Sequence, residues 1–183
     1  MTVSIRTARA DDVPALVQLR MANGERHAAL DPAGHRVPEA DPVRRYFEEL
    51  LSGAAGTGVV VLVAEADGTV AGMTEVVIRS EPPPDHQILI PGTLAEVHTV
   101  VLEGFRDRGI GSTLVRAAET YAAEQGVSML IAPILAPNTE AVSFYSRAGF
   151  GSHGVLLSKK LTADSDSGAQ PASALHNVDY RRF

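Results

Sequence analysis

The segment Arg-Asp-Arg-Gly-Ile-Gly at residues 106–111 has the residue types and the spacing of an anion-binding turn between a strand-like run at 94–101 and a helix-like run at 112–125. Glycines let backbone N–H groups approach an anion without a Cβ atom in the way. A helix N-terminus adds unpaired N–H donors and the positive end of the helix dipole. A tight turn without a ligand is the alternative, because the segment lacks the further glycine or lysine of the dinucleotide and triphosphate motifs. The pattern predicts a phosphate or pyrophosphate ligand.

A second motif lies at residues 138–150, where the sequence reads Asn-Thr-Glu-Ala-Val-Ser-Phe-Tyr-Ser-Arg-Ala-Gly-Phe. Together the two motifs resemble the GNAT superfamily of acyl-CoA-dependent N-acetyltransferases. That family carries Arg/Gln-x-x-Gly-x-Gly/Ala around the CoA pyrophosphate, which is matched here at Arg106, Gly109 and Gly111. It also carries Asn-x-x-Ala-x-x-Phe-Tyr-x-x-x-Gly-Phe, which is matched here with every spacing kept. The resemblance covers residues 94–150 closely and extends, by the order of elements, to the region of residue 161.

The resemblance implies that acetyl-CoA is the co-substrate and that the reaction uses no metal. Backbone N–H groups from Val101 onward would hold the pantetheine and the thioester oxygen, and the backbone of residues 106–112 would surround the pyrophosphate. Arg106 and Arg108 would add positive charge there, unless they are a solvated surface pair. Asn138 would bind the pantetheine, unless it only caps a helix. The expected cofactor-binding residues are Val100, Val101, Leu102, Arg106, Asp107, Arg108, Gly109, Ile110, Gly111, Ser112, Asn138, Ala141 and Tyr145.

Acetyl transfer from a thioester to an amine requires that the amine loses a proton, that the carbonyl is polarised and that the leaving thiolate gains a proton. A nucleophilic side chain is not required, and the chain contains no cysteine to supply one. In the family that the chain resembles, the tyrosine of Phe-Tyr commonly protonates the thiolate. Tyr145 is therefore the predicted general acid, with aromatic core packing as the alternative.

The predicted strand at 94–102 carries the candidates for the general base. Side chains alternate between the two faces of a strand, so Glu96, His98 and Val100 share one face. Glu96 and His98 are the predicted catalytic residues on the amine side, acting directly or through a water molecule. A purely structural histidine and a base at Glu103 are the alternatives that stay open.

The composition limits the class of protein. A length of 183 residues corresponds to about one domain, and 45% apolar and 21% charged residues are typical of globular proteins. The net charge of −6 argues against sequence-independent binding of nucleic acid. The lack of cysteine suits a cytoplasmic protein, and the sequence has neither a signal pattern nor an apolar run long enough for a bilayer. We therefore expect a cytoplasmic protein without a nucleic-acid or membrane partner.

The hydrophobic patterns predict the order β-α-α-β-β-β-α-β-α-β. Asp67-Gly68 predicts a hairpin turn, and Asp41 followed by Pro42 predicts the N-cap and the first residue of the second helix. By the resemblance, this order implies an α/β fold with a mixed, mostly antiparallel central sheet that is flanked by helices and splayed between strands 4 and 5, where the pantetheine would lie. The predicted strands are 3–8, 58–66, 69–79, 94–102, 127–135 and 154–161, and the predicted helices are 11–30, 41–51, 112–125 and 138–148.

One acetyltransferase domain is expected at residues 1–161. Residues 162–183 are expected to form a linker and a C-terminal extension, because the first part is rich in Ser, Asp, Ala and Gly. Residues 174–183 regain apolar side chains. They either dock on a surface or on the second subunit of a homodimer, or form a frayed tail.

The sequence thus predicts an N-acetyltransferase that moves an acetyl group from acetyl-CoA to a primary amine by direct attack in a ternary complex. The acidic balance slightly favours a small cationic acceptor over a protein N-terminus or lysine. A non-catalytic acyl-CoA sensor on the same fold is the alternative of a different class. The first two helices and the loop at 80–92 are expected to form the rim of the acceptor pocket.

Overall fold

The computed structural model describes residues 2–53, 58–79 and 92–154. Their order of elements confirms the predicted one as far as the fourth helix. The last predicted strand at 154–161 lies outside the described residues apart from its first, as do residues 174–183. The elements are β1 (Val3–Thr7), α1 (Val13–Leu30), α2 (Ala40–Leu51), β2 (Val59–Ala66), β3 (Thr69–Arg79), β4 (Leu94–Val101), α3 (Ile110–Glu124), β5 (Met129–Ile131) and α4 (Thr139–Arg147).

The described elements fall in one compact unit, residues 1–150. A second unit covers residues 151–183, of which only the first four are described. The predicted domain boundary at residue 161 therefore lies outside the described residues and stays a prediction.

The five described strands form one sheet in the order β1-β2-β3-β4-β5. All neighbouring pairs are antiparallel except β4 and β5, which are parallel. The predicted α/β fold with a mixed, mostly antiparallel sheet is confirmed. The turn between β2 and β3 is also as predicted, because Asp67 (φ 49°) and Gly68 (φ 81°) both have the positive φ of a tight hairpin turn with a right-handed twist.

Helices cover both faces of the sheet. On one face, Leu16 of α1 and Phe47 of α2 pack in one cluster with Val100 of β4. On the other face, Val97 of β4 packs with Val115 of α3 and with the aromatic residues of α4. Val97 and Val100, an odd number of positions apart in β4, therefore point to opposite faces of the sheet, which confirms the predicted alternation. The face with Val100 is called the α1/α2 face below, and the face with Val97 the α3/α4 face.

The predicted start of the second helix is wrong. Helix α2 begins at Ala40, and Glu39 precedes it in an extended conformation. Asp41 and Pro42 lie in the first turn instead. A negative charge interacts favourably with the helix dipole there, and proline lacks only an N–H that the first turn leaves unpaired.

Strand β5 is much shorter than the predicted 127–135. The N–H of Val127 binds the Ala122 carbonyl at 3.0 Å, after Gly126 with φ 73°, so Val127 belongs to the motif that ends α3. Beyond Ile131, Pro133 has no N–H to donate to a sheet ladder. The predicted strand is therefore shortened at its start by the motif that ends α3 and at its end by Pro133.

Gly72 of β3 allows α3 to pack closely on the sheet. A Cβ atom at Gly72 would lie 2.9 Å from the Val100 carbonyl oxygen, 3.1 Å from Leu114 Cδ1 and 3.2 Å from Val101 Cγ2. We expect Gly72→Ala to lower the free energy of unfolding by about 1–3 kcal/mol, because backbone and core atoms must shift. Urea denaturation measures this change. Gly104→Ala is the control, because its Cβ meets nothing within 4 Å, and equal stabilities of the two variants would contradict the close packing.

Candidate active site

Strand β4 has an open edge over its C-terminal half. It pairs with β5 only from Leu94↔Met129 to Glu96↔Ile131. It continues to Val101 with β3 on its other side, and no described strand covers this side of residues 97–101. The predicted splay between strands 4 and 5 is therefore present.

The hydrogen-bond alternation decides which backbone groups of β4 face the open edge. The Leu102 N–H binds the Ala71 carbonyl at 3.0 Å on the β3 side, whereas the Thr93 carbonyl accepts from the Ser128 N–H at 2.8 Å on the β5 side. Backbone groups alternate between the two sides in an antiparallel pair. The groups of Thr99 and Val101 consequently face the open edge, and those of Val100 and Leu102 face β3. Of the three residues of this segment predicted to bind the cofactor, only Val101 has its backbone at that edge.

The loop after β4 leads directly into the N-terminus of α3. Asp107 (φ 59°) and Gly109 (φ 77°) are both left-handed, and Gly109 is the N-cap residue, without a side chain that could cap the helix. Helix α3 begins at Ile110, so the N–H groups of Ile110, Gly111 and Ser112 belong to the first turn, where no helical carbonyl precedes them. A left-handed residue next to a helix start lets several N–H groups converge, as anion sites require.

Gly111 also has a packing role. A Cβ at this position would lie 3.2 Å from Cε2 and Cζ of Phe144 on α4 and 3.8 Å from Cγ2 of Val101. Ile110 is buried in the core on the other side of the same turn. The second glycine of the motif therefore lets α4 approach α3. Gly109 differs, because a Cβ there would point into open space.

The two arginines of the loop take different positions. Arg106 Nε donates to the Val101 carbonyl oxygen at 3.2 Å, which ties the loop to the end of β4. The Arg108 guanidinium lies over the Phe105 ring, 5.8 Å from its centroid. Arg106 thus ties the loop to β4, and both arginines precede the first turn of α3 by a few residues in the chain.

Asn138 is buried and is the N-cap of α4, because its Oδ1 accepts from the Ala141 N–H at 3.2 Å. The capping alternative for this residue is therefore observed. The side-chain amide carries two further N–H donors, and a role of these donors in holding pantetheine stays a prediction.

Tyr145 is buried between Phe144 and Phe150, whose ring centroids lie 5.0 and 5.1 Å from its own. Burial raises the pKa of the Tyr145 hydroxyl, and hydrogen bonds with the side chain and the backbone of Thr99 partly offset this rise. Thr99 Oγ1 lies 3.0 Å from Thr74 Oγ1 in the next strand. Tyr145 is thus a core residue whose hydroxyl reaches the open edge of β4.

Glu96 and His98 lie together on the α1/α2 face. His98 Nε2 is 3.4 Å from Glu96 Oε2, and Arg79 Nη2 donates to Glu96 Oε1 at 3.0 Å. The hydrogen bond with His98 lowers the pKa of the Glu96 carboxyl, with a further contribution from Arg79 and with burial acting in the opposite direction. The His98 side chain is 39% exposed and that of Glu96 only 14%. Glu103, the third candidate base, is exposed in the turn after β4.

A cluster that the sequence interpretation missed lies next to His98. The Glu75 carboxylate on β3, which is only 3% exposed, accepts from Arg20 of α1 and from the Tyr46 hydroxyl of α2 at 3.1 Å. Glu75 is the register partner of His98 in β4. The signal in the sequence was a glutamate inside the apolar run of β3, since a buried charge needs a partner.

This cluster borders a groove of about 420 Å³ between α1, α2 and the sheet. We call it the Tyr46 groove. Residues 80–91, which were predicted to contribute to the rim of the acceptor pocket, lie outside the described residues. On helix α1, Arg26 forms an ion pair with Glu140 of α4. The groove is lined by Arg20, Pro38, Pro42, Val43, Tyr46, Glu75, Val77 and His98.

Among the described residues, no group of three or more histidine, aspartate or glutamate side chains is placed to hold a metal ion. None of the described helices is both long and apolar enough to cross a membrane.

The mixed sheet and the open edge of β4 are the features that the resemblance to acyl-CoA-dependent acetyltransferases predicts. Residues 24–150 match the model of the acetyltransferase (GNAT) family. The chain belongs to this family and is an acyltransferase. A search of curated protein sequences finds no match to the chain.

Solved structures of low sequence identity share the fold. A point mutant of the BH1408 protein from Bacillus halodurans is 19% identical, with a TM-score of 0.76 over 87% of this chain and 99% of that one. Glucosamine-6-phosphate N-acetyltransferase from Arabidopsis thaliana is 21% identical, with a TM-score of 0.63 over 88% and 100%. The aminoglycoside N-acetyltransferase AAC(6')-Iy, solved in complex with CoA, is 20% identical, with a TM-score of 0.65 over 88% and 96%.

Proposed function

We propose that the protein transfers an acetyl group from acetyl-CoA to the primary amine of a small molecule, by direct attack in a ternary complex. The observation that carries this proposal is the arrangement around β4. The open edge of β4 leads to the first turn of α3. The Tyr145 hydroxyl reaches this edge at Thr99 from the α3/α4 face. His98 and Glu96 lie close together on the α1/α2 face. The chain's lack of cysteine supports a cytoplasmic location as part of the same proposal.

In this proposal the pantetheine pairs with β4 much as an added strand would. The backbone groups of Thr99 and Val101 would receive its amides, since both face the open edge. The pyrophosphate would bind the N–H groups of residues 110–112, which follow the left-handed Gly109 at the start of α3. Arg108 would contribute charge at close range.

Tyr145 would protonate the leaving thiolate. A general acid must carry its proton at the working pH and must lie within hydrogen-bond reach of the leaving atom. The raised pKa of Tyr145 meets the first condition. The position of its hydroxyl at the open edge, where the thioester would lie, supports the second.

His98 would accept the proton of the amine, and Glu96 would orient its imidazole. His98 lines the Tyr46 groove, from which an acceptor can approach, whereas Glu96 is not part of that lining. The Glu96 carboxylate keeps its charge because its pKa is lowered, and a carboxylate next to a ring nitrogen stabilises the imidazolium that forms.

The acceptor is proposed to be a small amine that carries positive charge in solution. The Tyr46 groove supports this size, because small-molecule sites are concave and typically a few hundred Å³ in volume. A protein N-terminus or a lysine side chain is the alternative acceptor for an enzyme of the same class. Either would bring an extended protein chain, which needs a channel rather than a short groove.

An acceptor panel tests the proposed function. The protein is incubated with acetyl-CoA and with monoamines, polyamines, amino acids and peptides with free N-termini, and release of free thiol is followed. Turnover of a small amine supports the proposal. Tight CoA binding without turnover of any amine would contradict it and would favour a sensor, and turnover of peptides alone would move the assignment to protein N-termini.

The proposed pair of His98 and Glu96 predicts a specific pattern of rates. Glu96→Gln should lower kcat/KM by roughly 10–100-fold below neutral pH, because a hydrogen bond to a charged group is lost. The effect should shrink at high pH, where the amine is already deprotonated. His98→Gln should act in the same direction.

The double variant separates a coupled pair from two independent residues. If Glu96 acts through His98, the combination should be little slower than His98→Gln alone. Additive losses in the pH–rate profiles would indicate independent roles. An unchanged profile in both single variants would remove the pair from the mechanism.

A further inference from the structure

The lining of the Tyr46 groove is mainly apolar. Pro38, Pro42 and Val43 come from α2 and the segment before it, and Val77 comes from β3. Pro38 is held in place by α1, because a Cβ on Gly24 would lie only 2.6 Å from Pro38 Cδ. An apolar wall on a packed segment favours a ligand body without charge.

The two charges that line the groove compensate each other. Arg20 and Glu75 form an ion pair, and the remaining described lining residues, apart from the His98 imidazole, have no charged side chain. A polycation would find no uncompensated carboxylate among these residues. A single ammonium group, by contrast, can be directed to His98, which lines the groove and lies 3.4 Å from the Glu96 carboxylate.

Tyr46 presents a fixed aromatic surface to the groove. Its hydroxyl donates to Glu75 at 3.1 Å, and the Arg20 guanidinium lies over its ring, 5.8 Å from the centroid. Burial and the charge of Glu75 raise the pKa of Tyr46 to about 12, so the hydroxyl stays a neutral donor. The residue is nevertheless 42% exposed. The Tyr46 ring is thus held by Glu75 at its hydroxyl and by Arg20 on one side, while part of its surface stays accessible. Such a ring is preorganised to contact a planar ligand.

We infer that the Tyr46 groove holds the body of the acceptor and selects an amine with one ammonium group and a planar, apolar body, such as an arylalkyl monoamine. The inference rests on the proposed acetyl transfer. The amine would lie at His98, close to the open edge of β4, and the planar body would lie against Tyr46 between the prolines and Val77. Polyamines and aminoglycoside-like acceptors would be poor substrates.

The test compares three acceptor amines in the parent and in two variants. Phenethylamine is the aromatic probe, n-butylamine the aliphatic control and spermidine the polycation. We expect kcat/KM for phenethylamine to exceed that for spermidine by about tenfold or more, because one aromatic contact is worth roughly a factor of 3–10 and spermidine must also desolvate additional charges. Tyr46→Leu should raise KM for phenethylamine roughly 3–10-fold, with a smaller change for n-butylamine. Tyr46→Phe keeps the ring, so its KM for phenethylamine should stay close to that of the parent.

Each outcome decides a separate point. Turnover of spermidine in preference to phenethylamine would overturn the inference and leave the proposed acetyl transfer intact. If no amine is acetylated, the proposed function fails. Calorimetric titration of phenethylamine into the CoA-saturated protein then tests the groove by itself. Binding that weakens in Tyr46→Leu but not in Tyr46→Phe supports the groove, and absence of binding, or equal binding in all three proteins, overturns it.

Discussion

Tyr145→Phe is expected to lower kcat by about 10²–10⁴-fold, the usual contribution of a general acid. The variant keeps the ring and therefore the packing against Phe144 and Phe150, but it loses the proton that can reach the leaving sulfur. The KM for acetyl-CoA should change little, because the lost interaction strengthens mainly as the thiolate forms. Thiol-release assays over a range of acetyl-CoA concentrations measure both kcat and KM, and a thermal melt of each protein checks that it is folded.

Tyr121→Phe is the matched control for this prediction. Tyr121 of α3 packs, partly buried, in the same cluster as Tyr145, and neither the motif nor the open edge of β4 assigns its hydroxyl a role. Its loss should leave kcat near that of the parent. If Tyr145→Phe also turns over at the parental rate, water protonates the thiolate and Tyr145 is only a packing residue.

Gly109→Val is expected to weaken CoA binding by roughly 100-fold or more. A valine side chain at this position would occupy the open space in front of the first turn of α3. At least two N–H contacts to a charged pyrophosphate would be lost, each worth about 1.5–3 kcal/mol, and 1.4 kcal/mol corresponds to about a factor of ten. Isothermal titration calorimetry with CoA measures the change.

Gly126→Val separates this effect from backbone strain. Gly126 follows the other end of α3, has φ 73° against 77° for Gly109, and its Cβ would likewise meet nothing within 4 Å. Both variants carry the cost of a branched residue at positive φ, so their stabilities should fall by similar amounts. Only Gly109→Val should lose CoA. Parental affinity in Gly109→Val, or equal losses in both variants, would remove the pyrophosphate assignment.

The parts of this protein that the sequence determined are governed by local chemistry. The order of elements, the Asp67-Gly68 hairpin and the glycine turn before α3 follow from hydrophobic period, positive φ and the groups that a helix end leaves unpaired. The motif at 138–150 likewise indicated a short helix, which is present as α4 with Asn138 as its N-cap. Each of these signals is contained within a few neighbouring residues.

Strand pairing decided the details of β4 and β5. Whether Val100, Val101 or Leu102 offers its backbone to the open edge depends on register with β3, and an alternating pattern alone gives faces but not hydrogen-bond partners. The length of β5 depended on a helix-ending motif at its start and on a proline beyond its end. The hydrophobic pattern alone does not show that its first residues end a helix or that its last residues cannot pair in a sheet.

The cluster of Arg20, Tyr46 and Glu75 at the Tyr46 groove was decided by the tertiary structure. Arg20 and Glu75 are separated by 55 positions in the chain, and Tyr46 and Glu75 by 29. No periodicity links residues at such distances. They meet because α1 and α2 pack on the face of the sheet that carries Glu75 and His98, and because a carboxylate buried there is stable only when donors from both helices reach it.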